Sequence, residues 1–444
     1  MSEQKFTITP LGGVGEVGRN CFLYRYGDDA ILVDCGEKIL RNDDPNRHNP
    51  KYTRPQIGML RSGAVKLLAT FITHGHRDHL CGVQAVANYA PIYASRETVR
   101  LYPLHFNWRE HGDLAARLQL KTMLFAPLEA ASLTGFAADE TIAVGPFEVQ
   151  PFKVAHSTDG SYGFLILAGG KCVAHLGDAK FTDALPCKPI LGHTYRSLIG
   201  LGVQPDLMVM DCVNAGTPGF TPSEYYASRG VAEIIRENRG RVIVAQFATN
   251  LERLRRVADA AKELGKSVGF VGRAMRVAAG LLGYGGGGRL PYDGEVILAT
   301  GSQAESDGDG IPGSALWRAA MENPVDDKPR LRVSSRDTVV FSSRAIPQNI
   351  PEIKALVEQL QYLGARVILH NGASTKLGLA TPAEERFVHV SGHGQDEDLR
   401  LFAATLRPKR ILANHAEPAT LARVPNILPD DNLIFPKILE EIEI

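Results

Sequence analysis

The segment Thr73-His74-Gly75-His76-Arg77-Asp78-His79 sets three imidazoles and a carboxylate within six residues, directly after the apolar run Leu67–Ile72. In an extended segment, residues two apart point the same way, so His74, His76 and Asp78 can converge on one side while His79 turns away as a helix begins. Nitrogen and oxygen donors of this kind suit borderline cations such as zinc, which take such ligands at about 2.0–2.2 Å. A lone H-x-H is more simply a surface histidine pair. The full motif behind a buried strand argues for a metal.

Four clustered ligands cannot close two metal sites, so partners are expected further along the chain. His156 follows the run Phe147–Val154, Asp178 follows Cys172–Leu176, and His415 follows Arg410–Leu412. Each sits just past a strand, where the loops of an α/β sheet assemble sites. Taken singly, each reads as a hydrogen-bonded structural residue; their shared placement points to a common centre.

The elements that must carry these residues are short. Phe6–Pro10, Cys21–Arg25, Ala30–Val33, Val65–Ile72, Ile92–Ala94, Phe147–Val154, Gly163–Leu167 and Cys172–Leu176 read as strands. Several are continuously apolar, as expected where both faces of a sheet are covered. From about Asp206 the rhythm changes. Leu207–Met210, Arg241–Ala245, Val268–Val271, Val296–Leu298 and Thr338–Phe341 read as buried strands alternating with the helical patterns Pro222–Asn238, Leu251–Leu264 and Pro351–Leu363. Gly285–Gly288 reads as a flexible turn, without phosphate-loop spacing. After Val367–Leu369 come strand runs Phe387–Val390 and Arg410–Leu412 around a helix at Asp396–Leu406. The expectation is an α/β domain split between residues 1–205 and 371–444, with a second α/β domain, 206–370, inserted into it.

At roughly 150 residues per domain, 444 residues suit this division. Lys plus Arg and Asp plus Glu are 49 each, which excludes a globally basic nucleic-acid coat but not a local basic channel. The six cysteines form no C-x-x-C pair, so no disulfide framework or zinc ribbon is indicated. No secretory leader is read in the opening residues, and no apolar run approaches the ~20 residues of a membrane span. A cytoplasmic protein without membrane partners is expected.

H-x-H-x-D-H followed by a lone His, a Gly-Asp and a late His resembles the ligand order of the metallo-β-lactamase superfamily. Gly12-Gly13-Val14-Gly15-Glu16-Val17-Gly18-Arg19-Asn20, the segment Asp211–Glu224, Ala299-Thr300-Gly301-Ser302-Gln303 and His389-Val390-Ser391-Gly392-His393-Gly394 resemble its β-CASP branch, the ribonuclease J family in particular. The resemblance implies a metallo-β-lactamase αββα sandwich carrying an inserted β-CASP α/β domain. It implies two Zn2+, with Mn2+ or Mg2+ supporting activity in vitro. One ion would be held by His74, His76 and His156, the other by Asp78, His79 and His415, with Asp178 bridging. Asp211, His393 and His415 match the family's motifs A, B and C. Asp78, His393 and Asp211 are the expected catalytic residues, and Ser391, Gly392, Ser342 and Ser343 fall where the family binds substrate phosphates.

The activity implied is hydrolysis of RNA, endonucleolytic or 5′-to-3′ exonucleolytic, on single-stranded substrate with a 5′-monophosphate. His393, held by Asp211, is the candidate acid for the leaving 3′-oxygen. Substrate is expected in a cleft between the two domains, with Arg273 and Arg344 as cationic contributors. The chain stops shortly after motif C, without the family's usual C-terminal domain, so a homodimer weaker than in full-length relatives is expected. The stretch between His76 and His156 is longer than usual, and Arg344 and Gln348-Asn349-Ile350 depart from the family pattern. Two other readings are a small-molecule metallohydrolase and a catalytically weak RNA-binding member. The large insertion argues against the first and the intact ligand set against the second. DNA is the alternative substrate, since phosphate contacts do not specify the sugar and only a 2′-OH contact would separate the two.

Overall fold

The computed structural model describes residues 4–40, 44–46, 49–105, 141–181, 193–284, 294–304, 314–321 and 331–444. Gly285–Gly288 and Cys187 lie outside them, as does much of the stretch between His76 and His156. The chain divides into two compact units. Residues 1–39, 46–222 and 392–444 form the first, and residues 40–45 and 223–391 the second.

The first unit opens with β1 (Phe6–Gly12), β2 (Cys21–Tyr26), β3 (Asp29–Val33), β4 (Lys66–Ile72) and β5 (Ile92–Ala94), followed by β6 (Ile142–Val144), β7 (Phe147–Lys153), β8 (Tyr162–Ala168), β9 (Lys171–His175) and β10 (Leu207–Asp211). The second unit contributes β11 (Val242–Ala245), β12 (Val268–Val271), β13 (Val296–Ala299), β14 (Thr338–Phe341), β15 (Arg366–His370) and β16 (Glu384–Arg386). The chain then returns to the first unit with β17 (Arg410–Asn414), β18 (Leu433–Ile434) and β19 (Ile442–Glu443).

Two sheets face each other in the first unit, in orders β19-β1-β2-β3-β4-β5 and β18-β17-β10-β9-β8-β7-β6. Their strands alternate with period two. Phe164 and Ile166 of β8, Val209 of β10 and Leu412 of β17 join Phe22, Ile31 and Phe71 in the core between the sheets. Leu165, Met208, Met210 and Ala413 point the opposite way, into a second core with Leu399 and Phe402 of the helix Asp396–Leu406. Both faces of the second sheet are therefore buried, which is why these strands are apolar throughout. This is a metallo-β-lactamase sandwich. β10, read from sequence as the start of the inserted segment, runs parallel between β9 and β17, pairing Leu207 with Val173 and Arg410.

In the second unit, β12-β13-β11-β14-β15-β16 make one sheet in which every described pairing is parallel. The helices Ala315–Met321 and Ile350–Tyr362 supply Leu316, Ile353, Leu356 and Leu360 to its core. The expected strand Phe387–Val390 is not formed; the strand ends at Arg386. Side chains take the place of a ladder here: the Val388 carbonyl accepts from Ser342 Oγ at 2.7 Å and the Val390 carbonyl from Arg253 at 3.2 Å. Residues 371–391 belong to this unit, with β16 held on β15.

Candidate metal centre

Parallel neighbours β10 and β17 end together at Asp211 and Asn414, one residue before His415, and β4 ends one residue before Thr73. His76 caps the short helix Arg77–Leu80, whose first turn carries Asp78 and His79. Gly36 lets the chain pass beneath this turn, since a Cβ there would overlap the Asp78 carbonyl. Gly392 lies against the His156 ring in the same way. Asp34 and His415 both hold left-handed backbone, at φ 63° and 53°. That conformation costs a non-glycine residue about 1–3 kcal/mol and recurs at functional sites.

The seven predicted ligands come together in two groups that share Asp178: His74, His76 and His156 on one side, and Asp78, His79 and His415 on the other. In the first, His76 Nδ1 lies 3.1 Å from His74 Nε2 and 3.0 Å from His156 Nε2. Asp178 Oδ2 stands 3.7 Å from His74 Nε2, 3.9 Å from His156 Nε2, 3.1 Å from His79 Nε2 and 3.6 Å from His415 Nε2. Asp78 Oδ2 completes the second group, 3.8 Å from His79 Nε2 and 3.7 Å from His415 Nε2.

Four of the five imidazoles turn Nε2 inward, and in each the outer nitrogen has an acceptor. His79 Nδ1 donates to Asp34 Oδ2 at 2.7 Å, His74 Nδ1 to Thr73 Oγ1 at 3.0 Å and His156 Nδ1 to the Gly392 carbonyl at 2.9 Å, while His415 Nδ1 meets the Asn20 amide, 3.1 Å from its acceptor Oδ1 and 2.9 Å from Nδ2. Thr73 Oγ1 in turn donates to Asp34 Oδ2 at 2.9 Å. Such partners fix the tautomer that leaves a lone pair facing a cation. Burial, reinforced by neighbouring imidazoles, holds His74 and His156 well below the usual histidine range and His76 at about 4, even against the pull of nearby carboxylates. Burial also works against charge on Asp178 and His79. For Asp178 the surrounding His415, His79 and His393 prevail and keep it ionised. For His79 the carboxylates of Asp178, Asp34 and Asp78 prevail. Neutral imidazoles at His74, His76 and His156, with an ionised Asp178 beside them and further nitrogen and carboxylate donors turned the same way, are the donor set a divalent cation needs. A cation would displace the proton that the carboxylates hold on His79, so the residues fit such ions.

Asp211 Oδ2 accepts from His393 Nδ1 at 2.6 Å, and the His393 carbonyl is clamped by Thr221 Oγ1 at 2.6 Å and Asn214 Nδ2 at 3.1 Å. Burial lowers the His393 ring's basicity, but Asp211 and Asp178 outweigh it and push the value up to about 9. Its ring stacks on His415 with centroids 5.3 Å apart. Asp211 and His393 also form a possible ligand group with Asp178 and His415.

The expected phosphate contacts divide between the units, Gly392 in the first and Ser342, Ser343 and Ser391 in the second. Ser343 Oγ accepts from Gln303 Nε2 at 3.2 Å. Arg273 opens the helix Arg273–Leu281 and Arg344 follows β14; both belong to the second unit. His389 is hydrogen-bonded to Arg253 at 3.0 Å. Asp34 was missed by the sequence reading, although a lone carboxylate ending the apolar run Ala30–Val33 is the kind of signal that marks it. Arg253 and Glu224, a buried ion pair at 2.8 Å, left no such signal.

Residues 29–213 match the beta-lactamase superfamily domain, and residues 239–284 match the beta-CASP domain of ribonuclease J. Ribonuclease J of Mycolicibacterium smegmatis is 30% identical over 427 residues, covering 92% of this chain and 68% of the relative. That of Sinorhizobium meliloti is 30% identical over 439 residues, covering 94% and 70%. That of Thermus thermophilus is 29% identical over 431 residues, covering 92% and 68%. A crystal structure of a protein of unknown function from Enterococcus faecalis has the same fold, with a TM-score of 0.64 at 17% identity over 99% of this chain and 100% of the other. By its sequence, the chain belongs to the ribonuclease J family.

Proposed function

We propose that the chain is a zinc-dependent ribonuclease hydrolysing phosphodiester bonds of single-stranded RNA. The observation that carries this reading is the convergence of six candidate ligand residues on a shared seventh, Asp178, in a chain of this family. His74, His76 and His156 would hold one cation, Asp78, His79 and His415 the other, with Asp178 between them. The nitrogen-rich set favours zinc over the oxygen-seeking divalent ions. Bound there, two such ions would supply positive charge to the phosphoryl oxygens and would lower the pKa of a water molecule.

The remaining work falls to the protein. Asp211 keeps the proton of His393 Nδ1 engaged, so the opposite nitrogen, Nε2, delivers a proton to the departing 3′-oxygen. Clamping of the His393 carbonyl by Thr221 and Asn214 limits the ring's freedom, which pre-pays part of the orientation entropy. Ser343 and Ser391 are assigned to the 5′-phosphate; Ser342, expected there as well, is fully buried with its hydroxyl given to the Val388 carbonyl and its backbone N–H to the Ala245 carbonyl, so it has no donor for a phosphate. Cytoplasmic action suits this reading; among the described residues no helix is long and apolar enough to cross a membrane.

The test is incubation of purified protein with 5′-labelled RNAs bearing monophosphate, triphosphate or hydroxyl ends, with and without chelator. Chelator-sensitive release of labelled mononucleotide from the monophosphate substrate is expected for exonuclease action, and discrete fragments for endonuclease action. Protein carrying two zinc equivalents that leaves every RNA intact while hydrolysing a lactone, thioester or β-lactam would overturn it.

A further inference from the structure

We infer that Asn20 is a positioning residue for one cation only, the one assigned to Asp78, His79 and His415; this rests on the two-cation reading above. Asn20 ends a loop whose backbone is unusual. Gly13, Gly15 and Gly18 hold φ of 82°, 66° and 111°, and Arg19 follows at 42°. Glu16 ties the loop down, accepting from Arg19 Nε at 2.6 Å and Lys38 Nζ at 2.9 Å. Ordering so many glycines has an entropic cost, so the shape serves something. What it delivers is a buried amide against the second ligand group.

The Asn20 backbone N–H donates to the Asp78 carbonyl at 2.9 Å, and its side-chain Nδ2 reaches the same oxygen at 3.2 Å. Nδ2 also lies 3.0 Å from His79 Nε2. The amide lies against His415 Nδ1, with Oδ1 at 3.1 Å and Nδ2 at 2.9 Å; in the tautomer that carries the proton on Nδ1, Oδ1 accepts it, which leaves the lone pair of His415 Nε2 toward Asp178 and Asp78. From the same loop, the Gly13 carbonyl takes the His415 backbone N–H at 2.8 Å. The loop thus holds both the ring and the left-handed backbone of His415. Among the described residues, no hydrogen bond of Asn20 runs to His74, His76 or His156. Asp34 differs: it backs His79 directly and His74 through Thr73, one histidine in each group.

Without the amide acceptor, the His415 ring can take the tautomer that offers Nε2–H to the cation, and it loses its fixed orientation. Loss of such a partner typically weakens metal binding 10- to 100-fold. Asn20→Leu, nearly isosteric, should bind its first zinc equivalent as wild type does and its second 10- to 100-fold more weakly. The readouts are zinc titration in buffers of defined free zinc, and loss of one set of d–d bands from the Co2+-loaded protein. Asn20→Asp, which keeps the acceptor, should restore the second equivalent, and Asp34→Asn should weaken both. Asn20→Ser, too short to reach His415, repeats the test if the leucine variant does not fold. Wild type with two equivalents and an Asn20 variant with the same two affinities, or with both weakened together, overturns the inference. Fewer than two equivalents in wild type overturns the two-cation reading, and the inference with it.

Discussion

His393 donates to Asp211 through Nδ1 at 2.6 Å while its ring lies flat against His415, so one imidazole is oriented by a carboxylate and stacked on a candidate ligand. The arrangement separates the two roles open to a histidine here. An acid needs its distal nitrogen toward the substrate; a ligand would need it toward a cation.

His393→Ala should retain both zinc equivalents and its fold, yet lose cleavage of ordinary RNA by about 10²–10⁴. A nitrophenyl phosphodiester, whose leaving group needs no proton, should slow far less. Asp211→Asn should follow the same pattern more mildly, because the ring stays in place with its basicity reduced. Loss of zinc from the alanine variant, measured by elemental analysis, would show a ligand instead.

Acid should destabilise the metal-free first unit well before its carboxylates protonate. Burial holds His76 at about 4 and the non-ligand His175 at about 3, against 6.5 for the free side chain. Between those values the unfolded chain binds more protons than the folded one, so stability falls as pH drops from 6.5 toward 4. Each such histidine contributes up to ~1.4 kcal/mol per pH unit. Melting in chelator at pH 7, 6 and 5 should show a steadily falling Tm; a flat profile would contradict the assignment.

Arg253→Ala should cost the second unit about 3–5 kcal/mol, because it strands the Glu224 carboxylate in the interior. It also removes the donor to the Ser342 and Val390 carbonyls. Arg366→Ala, which breaks a half-exposed pair with Glu384, should cost no more than about 1 kcal/mol. Urea unfolding of the two variants gives the comparison.

Gly36→Ala should destabilise the first unit by about 1–3 kcal/mol or more, since the new methyl meets the backbone of Asp78 rather than a movable side chain. Gly200→Ala, at the end of the helix His193–Gly200 with open space around it, should be neutral or gain about 0.5 kcal/mol. Thermal melts distinguish them, and zinc binding by Gly36→Ala should weaken in parallel.

The ligand types and most elements were legible in the sequence because they rest on local patterns. A buried strand announces itself by apolar composition, and H-x-H-x-D-H gathers four donors in one short stretch regardless of what surrounds it. Tertiary structure decided what spacing cannot carry. It made Asp178 Oδ2 the oxygen shared by both groups, and it turned Nδ1 of His76 inward but Nε2 of the other four imidazoles. It set Asp34 behind His79 across 45 positions and Asn20 behind His415 across 395. It seated β10 between β9 and β17, and it ended β16 at Arg386 because Arg253 and Ser342 satisfy the carbonyls beyond. A hydrogen bond between distant segments leaves no periodicity in either one. Which nitrogen faces a cation, and how firmly it is held, is therefore settled only when the chain has closed.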